Sequence, residues 1–312
     1  MPGPLAAGVV GVGHLGQHHA RLYASLRGVR LAGVVDTDPN RAQEVASRYG
    51  ARVFADVPSL AREVDLASVA TPTTSHEECV LPLLDAGVAV LVEKPIAADV
   101  AAADRMIQAA ERAGAPLMVG HTERFHPAVA ALRERLSRPR FIESHRLAPF
   151  APRSLDVDVL LDLMIHDLDL LRVLLDGDEV VRFDASGAAA LTERIDIASV
   201  RLRFKGGAAA NLTASRISHE RQRRIRVFEP GAYFACDTGR GTLSVHRLVR
   251  DGPKPRIATE EVAVPREEPL ARELSQFRDA VVRGERPPCP GEDGRAALAL
   301  ALEIREAITA SL

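Results

Sequence analysis

Lysine is scarce in this sequence: Lys94, Lys205 and Lys254 are the only three among 312 residues. Arginine supplies the rest of the positive charge. Because acidic residues offset it, the formal net charge is -2. Such a balance creates no global field that would attract nucleic acid or an acidic membrane surface. The sequence therefore predicts neither partner, and its few lysines are the ones to examine for a specific role.

Cysteine and long apolar runs are also rare. Cys79, Cys236 and Cys289 are odd in number and far apart, which excludes a disulfide framework and a metal-binding cysteine spacing and indicates a reducing cytoplasm. No apolar run approaches the roughly 18 residues that span a bilayer. The apolar stretch LAAGVVGVG near the start has no basic residue before it, which favours a buried first strand over a signal peptide.

Short apolar runs alternate with amphipathic stretches over residues 5–120. The runs are nearly continuous and rich in Val and Ala, as expected for parallel strands that are covered on both faces. Strand and helix in repetition predict a Rossmann domain with a doubly wound parallel sheet over residues 1–120. The predicted strands are LAAGVV (5–10), RLAGVV (30–35), LASVA (66–70), VAVLV (88–92) and PLMV (116–119).

The pattern changes after residue 120, and the length allows a second domain over residues 121–312. Helices are predicted at 127–137 and 157–175, a strand at 141–147, and two closing helices at 269–283 and 293–310. Alternating polarity in six stretches of 179–264 predicts an open, mostly antiparallel sheet with one free face. We expect that face to be apolar enough to pack a homodimer or homotetramer. The apolar residues expected there are Val181, Phe183, Val200, Leu202 and Phe204.

A G-x-G-x-x-G pattern directly follows the first predicted strand and opens the first predicted helix. Its glycines allow a tight turn and a close approach of a pyrophosphate to the helix N-terminus. The alternative is a glycine-rich turn without a ligand. The predicted cofactor loop consists of Gly11, Gly13, His14, Leu15 and Gly16.

Asp36 ends the second predicted strand, 20 residues after Gly16. A carboxylate at this position accepts hydrogen bonds from the adenosine ribose and repels a 2′-phosphate, so it predicts NAD rather than NADP. Asp38 adds to the repulsion. Arg41 is the one nearby cation in the sequence that could offset it.

Glu93-Lys94-Pro95 follows the predicted strand VAVLV (88–92), and side chains at the carboxyl end of a parallel strand face the ligand crevice. A lysine there can hold a substrate hydroxyl and stabilise developing negative charge. The alternative is a solvated ion pair, which the scarcity of lysine and the adjacent proline disfavour.

Asp162 and His166 are four residues apart, which places them on one face of a predicted helix. Histidine is the natural proton acceptor near neutral pH. One alternative is an ordinary polar helix face. Another is a metal site, which is not predicted because no further ligand cluster lies nearby in sequence.

Several segments, in this order along the chain, resemble the glucose–fructose oxidoreductase/inositol dehydrogenase (Gfo/Idh/MocA) family. The resemblance implies Lys94, Asp162 and His166 as the catalytic set and an open second-domain sheet used for oligomerisation. It also implies that four residues lie near the cofactor: Thr71, Pro72, His76 and Glu93. The segments are GVGHLGQHHA, ATPTTSHEECVLPLLDAG, VLVEKP, VGHTERFHPA, LLDLMIHDLDLL and EPLARELSQF with PGEDGRAAL.

The resulting hypothesis is an NAD-dependent enzyme that oxidises a sugar hydroxyl to a ketone. In it, His166 accepts the hydroxyl proton, Lys94 positions the hydroxyl, and Asp162 orients one of the two. A glycosidase or epimerase that oxidises its substrate only transiently would use the same residues. A non-catalytic sensor of dinucleotide and sugar is a third possibility, against which the presence of both Lys94 and His166 argues.

The segment HRLAPFAPRSLDVDVLLDLMIHDLDLL resembles the branch of this family that oxidises C3 of UDP-N-acetylglucosamine. The planar guanidinium group of arginine can donate two hydrogen bonds side by side, which suits the oxygens of a diphosphate. Ser154 is expected to meet a sugar hydroxyl, and the bulky residues 163–165 are expected to shape the pocket against a small free cyclitol. Dehydrogenation of a free sugar or cyclitol is the alternative. The arginines expected at the substrate are Arg124, Arg146 and Arg153.

Overall fold

The structure, a computed structural model, describes residues 3–151, 157–251 and 254–311. The chain forms two compact units. The first consists of Met1–Thr122 and Leu270–Leu298, and the second of Glu123–Pro269 and Ala299–Leu312. Within the described ranges, no helix combines the length and the apolar character that a membrane crossing requires.

The first unit contains a parallel sheet with the strand order β3-β2-β1-β4-β5-β6. Strands β4, β5 and β6 are buried along their whole length, and the parallel order confirms the doubly wound Rossmann sheet that the sequence predicted. The strands are β1 Leu5–Val10, β2 Val29–Val35, β3 Arg52–Val53, β4 Leu66–Val69, β5 Ala89–Glu93 and β6 Leu117–Gly120. The helices that follow them are α1 Gly16–Ser25, α2 Pro39–Tyr49, α3 Val57–Ala61, α4 His76–Asp85 and α5 Val100–Ala113.

A C-terminal segment belongs to the first unit, whereas the sequence predicted one continuous second domain over 121–312. The N–H group of Val119 in β6 donates to the carbonyl oxygen of Cys289 over 2.8 Å. Gly294 lies so close to Val119 that a Cβ atom there would overlap its side chain. Residues 289–294 of this segment thus lie against β6, the edge strand of the sheet, a long-range contact that no local sequence pattern reports.

The second unit contains a mixed sheet with the strand order β14-β13-β12-β11-β7-β10-β9-β8. All neighbouring pairs are antiparallel except β7 and β10, which are parallel. Strand β12 was not predicted from the sequence. The strands are β7 Phe141–Leu147, β8 Val180–Ala188, β9 Ile197–Phe204, β10 Ala209–Ser215, β11 Gln222–Glu229, β12 Ala232–Asp237, β13 Thr242–Val249 and β14 Arg256–Val262. The remaining helices are α6 Pro127–Arg133, α7 Ile165–Leu174, α8 Pro269–Arg283 and α9 Gly291–Thr309.

One face of this sheet is covered by the chain's own helices. Helix α6 packs on β12 and β13, and a turn of π-helix at Leu160–Met164 packs on β10. The apolar residues expected to need a partner subunit are mostly on this covered face, because Val200, Leu202 and Phe204 are at most 5% exposed. That part of the prediction is wrong: alternation shows that a strand has two different faces, but not which of them the helices cover.

The uncovered face carries a row of aromatic rings across four neighbouring strands. The ring centroids of Phe141 and Phe228 are 5.9 Å apart, and those of Phe228 and Tyr233 are 4.9 Å apart. Tyr233 and His246 stack at 4.9 Å with an angle of 17° between their planes. All four side chains are half-buried. This face therefore has an aromatic stripe that crosses β7, β11, β12 and β13.

Candidate active site

The glycine-rich loop between β1 and α1 is shaped for a dinucleotide. Gly11 has a φ of +79°, and a Cβ atom there would lie 2.9 Å from the carbonyl oxygen of Ala70. A Cβ atom on Gly16 would overlap the carbonyl oxygen of Gly11. At Gly13, by contrast, a Cβ atom would meet only the Arg41 guanidinium within 4 Å. The turn is thus closed on the protein side and open at Gly13, as the close approach of a pyrophosphate requires.

The N-terminus of α1 is ready for an anion. The first turn contains no acidic side chain, and the residue before it, Leu15, makes no side-chain cap. His14 and Leu15 are exposed. Since the first N–H groups of a helix point outward and carry partial positive charge, they can hold a diphosphate here.

Asp36 is fixed at the carboxyl end of β2. Its Oδ2 atom accepts a hydrogen bond from the N–H group of Val12 over 2.7 Å, and its Oδ1 atom accepts one from Asp38 over 2.8 Å. Arg41 Nη1 lies 3.8 Å from Asp36 Oδ2, and Arg41 Nη2 lies 3.2 Å from Asp38. The Asp36 carboxylate is therefore placed to accept hydrogen bonds from an adenosine ribose, and Arg41 lies beside this carboxylate. The preference for NAD over NADP stays a prediction.

His76 links the loops that follow β4 and β5. It is 1% exposed, and its ring lies 3.0 Å from the carbonyl oxygen of Thr71 through Nε2 and 3.0 Å from that of Pro95 through Nδ1. Burial is the largest influence on His76 and lowers its pKa. Thr71 is half-buried and Pro72 is exposed. In this geometry the ring nitrogens of His76 contact backbone carbonyls, and the contact of these residues with a cofactor stays a prediction.

Glu93 is buried at the end of β5, and its Oε1 atom lies 3.0 Å from His19 Nε2. Burial opposes ionisation of Glu93, but the hydrogen bond from His19 and the nearby positive groups outweigh it and hold the pKa of Glu93 below its ordinary value. Lys94 follows and is half-buried. His19 was not singled out in the sequence analysis. Its position three residues after Gly16, on the buried side of α1, was the available signal.

Asp162 and His166 lie on a shared, half-buried face, as the spacing predicted. The backbone between them is not a regular α-helix, because the N–H group of Ile165 donates five residues back to Leu160. Met164 and Ile165 are fully buried. The expectation that residues 163–165 together shape the pocket is therefore wrong for two of the three, since only the half-buried Leu163 is on the face of Asp162 and His166.

Arg146 is buried in an ion network and not available to a phosphate, which overturns that expectation. Its Nε lies 2.9 Å from Asp167 and its Nη1 lies 3.2 Å from Glu123. Arg223 and Thr238 also contact Glu123. Burial would raise the pKa of Glu123, but the two arginines outweigh it and lower the pKa to about 2. The network joins β7, β11 and the residue after β12 to α7, in which Asp167 directly follows His166.

Arg124 makes a second bidentate ion pair with an acidic residue of α7. Its Nε and Nη2 atoms each lie 2.6 Å from a carboxylate oxygen of Asp169, and both side chains are almost fully buried. One edge of the Arg124 guanidinium is thus used by Asp169. A contact between Arg124 and the substrate stays a prediction. Arg153 and Ser154 lie outside the described residues. Among the residues described, no three His, Cys, Asp or Glu side chains converge as metal ligands.

Two family models match the chain. An oxidoreductase family with an NAD-binding Rossmann fold covers residues 5–121, and the C-terminal domain of the Gfo/Idh/MocA family covers residues 132–230. These ranges coincide with the parallel sheet carrying the glycine loop and with much of the mixed sheet. The fold and the cofactor loop thus define an NAD-dependent oxidoreductase.

Individual relatives match over nearly the full length. The chain is 42% identical to the UDP-N-acetylglucosamine 3-dehydrogenase of Acidithiobacillus ferrooxidans, covering 99% of this chain and 98% of the relative. A solved structure of that dehydrogenase superposes with a TM-score of 0.91 at 40% identity, covering 98% of each chain. The inositol 2-dehydrogenase of Rhizobium meliloti is 29% identical over 94% of both chains. The chain belongs to the Gfo/Idh/MocA family of oxidoreductases.

Proposed function

We propose that this protein oxidises the C3 hydroxyl of UDP-N-acetylglucosamine to a ketone with NAD as the oxidant. The similarity to the Acidithiobacillus ferrooxidans enzyme carries the proposal, because it extends over 99% of the chain at 42% identity. The inositol dehydrogenases that match over a comparable length are less similar, at 29% identity, and one that is 38% identical covers only 59% of this chain. A nucleotide sugar is therefore favoured over a free cyclitol.

The proposed chemistry divides between named side chains. When bound, the oxidised nicotinamide supplies the hydride acceptor. His166 takes the proton of the substrate hydroxyl on an imidazole nitrogen, while Lys94 donates a hydrogen bond to the same oxygen and stabilises its developing negative charge. Asp162 shares the half-buried face of His166 and keeps the charged form of the base or of Lys94 favourable. The hydride and the proton leave together, so the carbon becomes a carbonyl.

The proposal also includes the oligomeric state and the cellular location of the enzyme. A homodimer or homotetramer would cover the aromatic stripe of Phe141, Phe228, Tyr233 and His246, which lies on the sheet face opposite to the one that α6 covers. All three cysteines are free thiols, as is usual in the reducing cytoplasm. We infer that the enzyme works in the cytoplasm as a homodimer or homotetramer.

The direct test is NADH formation with purified protein and UDP-N-acetylglucosamine. A glutamate-dependent aminotransferase that consumes the ketone is added in a second arm, so that an unfavourable equilibrium does not hide turnover. Free inositol and glucose are assayed in parallel, with the Lys94→Met variant as the blank. NADH formation with the nucleotide sugar is expected. Turnover of a free sugar with none of any nucleotide sugar would overturn the proposal, and transient oxidation would give product without net NADH.

A further inference from the structure

We propose that His19 is a positioning residue for Lys94, acting through Glu93. The inference rests on the proposed function of Lys94. It starts from a buried chain of hydrogen bonds that the catalytic scheme does not use. His19 and Ser68 are 0% exposed, and Glu93 is 6% exposed. Such a chain is costly to bury unless each member has its partner.

The direction of the hydrogen bonds follows from the chemistry of the end groups. An ionised carboxylate only accepts, so the proton on the His19 ring that faces Glu93 sits on Nε2, 3.0 Å from Oε1. In the neutral ring, Nδ1 then accepts from the Ser68 hydroxyl at 2.9 Å. Ser68 in turn accepts from Tyr23 at 2.8 Å. Burial raises the pKa of Tyr23, so its phenol keeps its proton, and because the Ser68 proton is directed to Nδ1, the phenol is the donor. Every bond therefore points toward Glu93.

Lys94 lies between two anchored neighbours. On one side Glu93 is held by His19, and on the other the carbonyl oxygen of Pro95 lies 3.0 Å from His76. Both histidines are at most 1% exposed, and both come from helices that pack against this sheet. The backbone that carries Lys94 is thus fixed from α1 and from α4. A lysine with four rotatable side-chain bonds gains precision only if its backbone is fixed in this way.

Two substitutions of His19 can test the contributions of its two ring nitrogens separately. In His19→Gln the amide nitrogen can reach the position of Nε2 and still donate to Glu93. In His19→Asn the shorter amide can replace only Nδ1, which faces Ser68, so Glu93 loses its donor. Both variants replace a buried ring by an amide, which makes them a matched pair. Ser68→Ala is a further control, because it removes the partner of Nδ1 and leaves the contact with Glu93.

Two measurements test the proposal, and only one needs a sugar substrate. In turnover, His19→Asn should lower kcat by about tenfold or more with the Kd of NAD nearly unchanged, whereas His19→Gln and Ser68→Ala should stay within about threefold of wild type. In hydrogen–deuterium exchange without substrate, peptides covering residues 93–97 should exchange faster in His19→Asn than in His19→Gln. Tm is measured for all variants.

The outcomes distinguish a failure of the proposed function from a failure of the inference about His19. If wild-type protein oxidises none of the sugars, the proposed function fails, and the exchange measurement still tests the anchoring by His19. If His19→Asn and His19→Gln lower Tm together but share the same kcat and the same exchange over 93–97, His19 only contributes to stability and the inference is overturned. Rescue by Gln with failure of Asn is the result that supports it.

Discussion

At the residue scale, the roles of Lys94 and His166 can be tested separately from cofactor binding. His166→Asn removes the proton acceptor and Lys94→Met removes the positive charge, while the glycine loop is left intact. Each change should lower kcat by roughly 10²–10⁴ and leave the Kd of NAD nearly unchanged. Steady-state kinetics combined with NAD titration checks this. Full activity in a folded His166→Asn protein would require another proton acceptor.

Asp36 sets the expected choice of cofactor. Its carboxylate is fixed by two backbone N–H groups and cannot turn away from a 2′-phosphate without losing them. We expect kcat/KM with NAD to exceed that with NADP by at least about tenfold, equivalent to about 1.4 kcal/mol. Arg41→Ala should widen the gap, because it removes the cation beside Asp36. Equal use of both cofactors by wild type would show that Arg41 accommodates the phosphate.

The low pKa of Glu123 should make the free energy of unfolding depend on pH in the acidic range. Its pKa is about 2 in the folded protein, below the ordinary value, so its contribution is complete above about pH 4.5 and is lost as the pH falls toward 2. At pH 7 the contribution is at most about 3 kcal/mol. Urea unfolding of wild type and Glu123→Gln should therefore differ most near neutral pH, and the difference should shrink below pH 4.5. The exposed Glu134→Gln is the control, and a constant difference would contradict the assignment.

At the element scale, the π-turn before α7 sets the relation of Asp162 to His166. Deleting the half-buried Leu163 would let this turn become regular α-helix and place Asp162 three residues before His166, so the two stay on one face but their relative orientation changes. We expect a loss of kcat of about 100-fold or more with NAD binding retained. Leu163→Ala, which keeps the length of the turn, should lose much less. Circular dichroism and Tm establish that the deletion variant is folded.

The same elements show how far sequence reasoning reached. The parallel strands, the glycine loop and the shared face of Asp162 and His166 follow from local periodicity, and the structure has them. Strand β12 was missed, although Pro230-Gly231 before it is a turn signal between two alternating stretches. The π-turn, the parallel pairing of β7 with β10 and the burial of Arg146 depend on long-range contacts. Nothing local in a sequence reports which acid a buried arginine will meet.

At the scale of the whole molecule, the aromatic stripe makes the predicted assembly testable. Tyr233→Glu places a charge in the middle of the stacked rings, where it could not be buried against a partner without a large desolvation cost. Light scattering at micromolar concentration should show wild type as a dimer or tetramer and Tyr233→Glu as a smaller species. Val282→Glu, at a side chain that is 65% exposed, is the control. A monomeric wild type would contradict the proposed assembly.

The C-terminal segment that lies against β6 has a consequence for biosynthesis. Multidomain chains usually fold in order as they leave the ribosome, N-terminal domain first. Here the first unit is incomplete until residues 270–298 have been synthesised, because its edge strand bonds to Cys289. At about 5–20 residues per second, roughly 150 intervening residues delay its completion by about 8 to 30 seconds. During that time the nascent chain exposes the apolar surface of β6, so we expect this protein to depend on chaperones more during translation than after release.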